Sequence, residues 1–191
     1  MIIGISGSRC VGKDAFFKIL CTLNHNFKRY AFADALKYDL HSLLKKQFNI
    51  DIFKADSIQK EMIRPIMISY GYTWRNIDID HWVKLVYNKI QKLDNHIVPV
   101  ITDLRYENEL NFLRKEYGKK LIHIHITRSD GVEPTQEELN SLAHIHYKAD
   151  VHVQWGSNTC TDMYYIVKQV YTTHLQNEME NNEMENKELD K

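Results

Sequence analysis

Cysteine, proline and glycine are all scarce in this chain of 191 residues, at three, three and seven. Cys10, Cys21 and Cys160 are an odd number without metal-type spacing, which argues against a disulfide framework and a thiolate zinc site and points to a reducing, cytoplasmic setting. With so few prolines and glycines the backbone meets few forced breaks, so the long periodic segments are predicted to be mostly helical. No uninterrupted apolar run approaches the ~20 residues needed to cross a bilayer, and nothing at the N-terminus reads as basic region, apolar stretch and cleavage site. Net charge is lacking as well. The 25 basic side chains balance 25 acidic ones, leaving no general basic field of the kind that captures long nucleic acid.

What is present is enough apolar material, 43% of residues, for one domain with a sizeable core over residues 1–176. The charge balance hides an asymmetry. Residues 177–191 form an acidic, low-complexity tail with a near-duplicated Asn-Glu-Met-Glu-Asn at 177–181 and 182–186, read as disordered or loosely helical. The rest is mildly cationic, which suits small phosphorylated ligands.

Hydrophobic periodicity predicts an α/β fold. Met1 to Ser6 reads as a buried strand and Lys13 to Leu23 as a helix with apolar positions Phe16, Phe17, Ile19, Leu20 and Leu23. A second strand is predicted over Lys28 to Phe32, followed by a helix with Asp34 as its N-cap. Helices over Ser57 to Tyr70 and Asp80 to Leu93, joined through Gly71 to Ile79, make a helical insertion at about 34–95. An apolar run from Ile97 to Thr102, a helix over Glu107 to Tyr117 and a strand over Lys120 to Thr127 follow. The polar stretch Ser129 to Ile145, holding Gly131 and Pro134, is the candidate mobile lid, at about 128–148. A strand at Val151 to Gln154 and a helix over Asn158 to Leu175 complete the order, which fits parallel strands with crossover helices.

The chemistry concentrates at the first turn. Gly7-Ser8-Arg9-Cys10-Val11-Gly12-Lys13-Asp14 has the glycine, four-residue gap, glycine and lysine of a nucleotide phosphate loop, placed between an apolar strand and an amphipathic helix. Glycines let backbone N–H groups turn inward around a polyphosphate, the helix offers its positive end, and the Lys13 ammonium reaches the outer phosphates. Asp14 stands where serine or threonine usually binds magnesium. Its carboxylate can hold the metal, directly or through water, or place an acceptor beside the terminal phosphate.

A second acidic position, Asp103, ends the run Val98-Pro99-Val100-Ile101-Thr102 and is carried to the carboxyl edge of the sheet, where doubly wound folds collect ligands. It can hold magnesium through water or cap the helix after it, and Arg105 can clamp a phosphate with its planar fork. Lys37, Arg64, Arg75 and Arg128 are further candidate cations, since phosphoryl transfer is mostly positioning and charge stabilisation. His123 and His125, and His144 and His146, share strand-type spacing that permits a metal site, but no cysteine or carboxylate lies at ligand spacing, so core-edge or surface histidines is the reading adopted.

Taken in order, Gly-Lys-Asp at 12–14, Phe-Ala-Asp-Ala-Leu-Lys at 32–37, Tyr-Gly-Tyr-Thr-Trp-Arg at 70–75, Asp-His-Trp-Val at 80–83, Ile-Thr-Asp-Leu-Arg-Tyr-Glu-Asn-Glu at 101–109 and a strand closing on Thr127 and Arg128 resemble the deoxynucleoside monophosphate kinases of bacteriophages and some large DNA viruses. Those are P-loop kinases distantly similar to phosphomevalonate kinase. The resemblance implies a three-layer α/β/α fold with a mainly parallel sheet, a helical acceptor-binding insertion and a lid. It implies transfer of the γ-phosphoryl of ATP, with Mg2+, to a deoxynucleoside monophosphate for DNA precursor synthesis, in the cytoplasm of a host cell.

By match of position, Arg9, Cys10, Val11, Gly12, Lys13, Asp14 and Ala15 would line the ATP phosphates, with Arg9 and Asp14 also reaching the acceptor. Ala15 stands where the family usually carries threonine, which shifts metal placement onto Asp14 and backbone groups. Asp34 and Lys37 would lie on the acceptor side, Arg75 and Arg105 would grip the acceptor phosphate, and Arg128 would belong to the ATP-side lid. Trp74, Trp82 or Trp155 could stack on a base, with Trp82 read as core. Partners would be small nucleotides, with a homodimer left open. A kinase for another phosphorylated small molecule, or a nucleotide-occupied switch, are the competing readings; the latter lacks the Asn-Lys-x-Asp stretch that reads guanine.

Overall fold

The computed structural model describes residues 1–156 and 160–180, so residues 181–191 of the acidic tail lie outside the described part. The chain divides into two compact units, one of Met1–Tyr30 with Lys92–Lys191 and one of Ala31–Gln91. No helix among the described residues is long and apolar enough to cross a membrane.

The first unit is built on five parallel strands, β1 (Ile2–Ser6), β2 (Phe27–Tyr30), β3 (Val98–Leu104), β4 (Leu121–Arg128) and β5 (Val151–Trp155), in the order β2-β3-β1-β4-β5. β1 sits at the centre because it is apolar up to Ser6 and buried at every residue, as a strand covered on both faces must be. Ile3, Ile5, Val100, Ile124, Ile126 and Val153 point to one face, where α1 (Lys13–Leu23) and α7 (Cys160–Val170) bury Phe16, Leu20, Val167 and Val170 against them. α5 (Glu107–Tyr117) packs against β4 and buries Leu110 and Leu113. This is the parallel α/β arrangement that the sequence predicts.

The boundaries differ where tertiary packing overrides local signals. β3 runs to Leu104, so Asp103 lies inside the strand and caps no helix. The helix after it uses the Tyr106 position, with Glu109 closing back onto the Tyr106 amide at 3.0 Å. Seven residues of the polar stretch after β4 form α6 (Gln136–Leu142), capped by Thr135 with Glu138 in a reciprocal capping box. At the start of the acidic tail, residues 176–180 are helical and Met179 is buried against the core.

The second unit consists of α2 (Phe32–Phe48), α3 (Ser57–Ile77) and α4 (His81–Ile90). α2 begins at Phe32 and not after Asp34, because burying Phe32 and Ala35 favours the earlier start; Asp34 is an acid of the first turn and Ala31 occupies the cap. Gly71 does not break α3. A Cβ there would lie 2.9 Å from Leu36 Cδ1, and its carbonyl accepts the Trp82 indole N–H at 3.2 Å, so the glycine permits close helix packing within the unit. Trp82 is core, as expected.

On the other face of the central strands, the hydroxyl of Ser6 bridges two buried rings, lying 2.7 Å from His123 Nε2 and 2.8 Å from His125 Nδ1. A hydroxyl has one proton to give, so it donates to at most one ring and accepts from the other. These histidines belong to the interior, not to the edge or surface anticipated for them. Burial above all lowers each from 6.5 to about 4; neighbouring rings and Lys13 add to the effect at His125. Between those values the unfolded chain holds a proton at each ring and the folded chain does not, so stability is lost as pH falls from about 6.5 to about 4. Denaturant midpoints across this range should give a stability slope of about 1.4 kcal/mol per pH unit for each ring, reduced by about that amount in His125→Gln; an unchanged slope in the variant would contradict the assignment.

Candidate functional site

The turn between β1 and α1 requires left-handed backbone at three points, Gly7 (φ 138°), Cys10 (φ 60°) and Gly12 (φ 96°). Gly7 lies so close to the Ile126 carbonyl of β4 that no side chain fits, and a Cβ on Gly12 would come within 2.7 Å of the Trp155 ring. Only glycine combines both conditions. No side chain caps α1 at Gly12, so the first amides of the helix are directed into the loop with the positive end of the helix dipole behind them.

Trp155 holds this shape from below. The residue ends β5, is 2% exposed, packs its ring 6.1 Å from Phe16, and donates its indole N–H to the Val11 carbonyl. It is enclosed by the core and the loop, so it is no base-stacking surface. Neither periodicity nor the loop motif identifies it as a support; its partner is far away in sequence, and the only local signal is an aromatic closing a strand.

Lys13 opens α1 and folds back so that Nζ donates to the carbonyls of Gly7 at 2.8 Å and Ser8 at 2.6 Å. Burial lowers its pKa from 10.5 to about 8, assisted by the Arg105 charge and opposed by the carboxylates of Asp103, Glu138 and Asp14. Two cations and three carboxylates thus surround one loop. An arriving phosphate would restore full charge to the ammonium, which is how a buried lysine turns anion binding into electrostatic stabilisation.

The candidates brought together are therefore Lys13, Asp14, Asp103 and Arg105. Asp14 is largely exposed, in the first turn of α1, with Arg29 Nε 3.9 Å away. Arg105 follows β3, anchors its amide on Glu109 at 3.0 Å and lies 3.9 Å from Glu138 Oε1. Arg128 is placed differently: it forms a two-pronged contact with Asp130, at 2.7 and 3.3 Å, which raises its pKa through that hydrogen bond. In the second unit Asp34 and Lys37 pair at 3.0 Å, Arg64 is held by Glu61 at 2.6 and 3.0 Å on an exposed helix face, and Arg75 lies in the last turn of α3. Trp74 stacks on His81, 4.2 Å between ring centres.

Glu138 was not anticipated. Its Oε1 accepts the Arg9 amide of the phosphate loop at 2.9 Å, although the two residues are 129 apart in sequence. Thr135 followed by Glu138 is a recognisable capping-box pattern, which signals the helix but not its reach into the loop.

The sequence model of the phosphomevalonate kinase family matches residues 5–119, from β1 through α5. The chain belongs to the phosphomevalonate kinase family. No curated protein matches this member of the family. Among solved structures it is similar to TT1252 from Thermus thermophilus, with 13% identity, a TM-score of 0.50 and coverage of 92% of this chain and 97% of that one. It is likewise similar to a dephospho-CoA kinase from Campylobacter jejuni, with 16% identity, a TM-score of 0.51 and coverage of 90% and 95%. At these identities the likeness concerns the fold. Family and fold together make this a kinase-type P-loop protein.

If Trp155 positions the loop, Trp155→Phe, which keeps a ring but loses the indole donor, should raise the KM for ATP roughly three- to tenfold while leaving the acceptor KM unchanged. Steady-state kinetics with both substrates varied would check this; an unaltered ATP KM would reduce the residue to core packing.

Proposed function

We propose that this family member transfers the γ-phosphoryl group of ATP to a deoxynucleoside monophosphate, giving the diphosphate and ADP. The observation that carries the reading is the convergence of Lys13, Asp14, Asp103 and Arg105 on one phosphate loop. The ordered motifs between Gly12 and Arg128 favour a nucleotide acceptor. The loop amides and Lys13 would hold the ATP phosphates, and Arg105 would face the acceptor phosphate.

The oxygen attacking the γ-phosphorus of ATP belongs to an acceptor phosphate and is already ionised near neutral pH, so the reaction needs no general base. That assigns Asp14 to placement and not to proton removal. The oxygen donors Asp14 and Asp103 suit magnesium, which takes one or two carboxylates, keeps several waters and completes its shell with substrate phosphates. When bound it would neutralise charge developing between the β- and γ-phosphates. Arg9, Cys10, Val11, Gly12 and Ala15 are proposed as ATP contacts, and Asp34, Lys37, Arg64, Arg75 and Arg128 as further nucleotide contacts from sequence position alone.

A second reading, a kinase for another phosphorylated small molecule, is favoured by the description of the matching family. Both readings share a phosphate acceptor. Coupled ADP release measured with deoxynucleoside monophosphates, ribonucleoside monophosphates and phosphomevalonate separates them. The proposal expects turnover with at least one deoxynucleotide; turnover with phosphomevalonate alone would transfer the assignment to the second reading, and no acceptor-dependent turnover would overturn both.

A further inference from the structure

Glu138 carries a carboxylate into the phosphate loop that the proposed chemistry does not use. The residue is 6% exposed, on the first turn of α6, and its two oxygens do different things. Oε2 completes the cap, accepting the Thr135 amide at 3.2 Å with the Thr135 hydroxyl at 3.5 Å. Oε1 accepts the Arg9 amide at 2.9 Å and lies 3.9 Å from Arg105 Nη2. Burial alone would push its pKa up, yet the Thr135 and Arg9 amides and the charges of Arg105 and Arg9 hold it below the usual carboxylate value. The group is thus ionised and close enough to Lys13 to favour the charged ammonium.

A backbone amide of the loop and a nearby guanidinium around one ionised oxygen are the surroundings of a bound phosphate oxygen. A helix cap needs none of them, since Oε2 alone satisfies it. Resting on the reading of this loop as the ATP phosphate site, we propose that Glu138 is a tethered anion that competes with the ATP phosphate for the Arg9 amide, held there with the help of the Arg105 charge, so that α6 is latched to the loop until ATP displaces it. Nucleotide binding and release of this latch are then reciprocal: whatever weakens the latch tightens ATP, by at most the same factor.

The test is calorimetric titration of the full chain with ATP and Mg2+ at fixed ionic strength, comparing wild type with Glu138→Gln and Thr135→Ala. Glutamine still closes a capping box and still offers an oxygen to the Arg9 amide, so the first variant removes the charge and keeps the helix. The second loosens the cap and keeps the charge. The expected result is an ATP Kd lowered about fivefold or more in Glu138→Gln, with a clearly smaller change in Thr135→Ala. An unchanged or raised Kd in Glu138→Gln overturns the proposal, as does equal tightening in both variants, which would assign the effect to a loosened helix. Absence of ATP binding by the wild type would instead overturn the phosphate-site reading.

Discussion

Everything at this site depends on a backbone that turns its N–H groups inward over the few residues between β1 and α1. That turn is possible only with left-handed φ at Gly7 and Gly12, each pressed against a neighbour that leaves no room for a side chain. The constraint reaches into the sheet. Gly7 lies against β4 through Ile126, and Gly12 and Val11 lie against Trp155 of β5. Since β4 and β5 pair in parallel register from Ile124↔Val151 to Arg128↔Trp155, the loop takes its shape from two strands that follow it by more than a hundred residues.

Charge is arranged on the same principle of mutual restraint. Lys13 is buried enough to lose part of its preference for the ionised form, and its ammonium is satisfied by the Gly7 and Ser8 carbonyls. Asp14, Asp103 and Glu138 offset the effect of that burial, while Arg105 adds to it. Beneath the loop, Ser6 with His123 and His125 supplies polar groups that stay neutral, so the interior adds no fixed positive charge below the lysine. The cationic pull of the loop is therefore focused on its mouth.

Much of this was legible from local chemistry. The span of α1, the identity of β1 and the order of parallel strands follow from apolar periodicity, and the glycine and lysine spacing marked the loop. Asp103 and Arg105 could be assigned to the sheet's carboxyl edge because a buried strand leads to them. The rest depends on contacts between distant residues. Gly71 reads as a helix break because its role is to admit Leu36, and Trp155 stays one of three base-stacking candidates because its partner, Val11, is distant in sequence. Glu138 passed unnoticed: a capping box announces a helix and says nothing about a second oxygen reaching Arg9. Arg128, given to the lid by match of position, has its guanidinium engaged by Asp130 two residues on, a local pair that the strand pattern does not announce.

In the proposed reaction the Lys13 ammonium stabilises phosphoryl transfer. The direct measurement is acceptor-dependent turnover of Lys13→Ala beside the wild type, with the unfolding midpoint recorded for both. A fall of about a hundredfold or more with the fold retained is the result required of a loop lysine that meets the transferring phosphate. Turnover within a few-fold of wild type would contradict it.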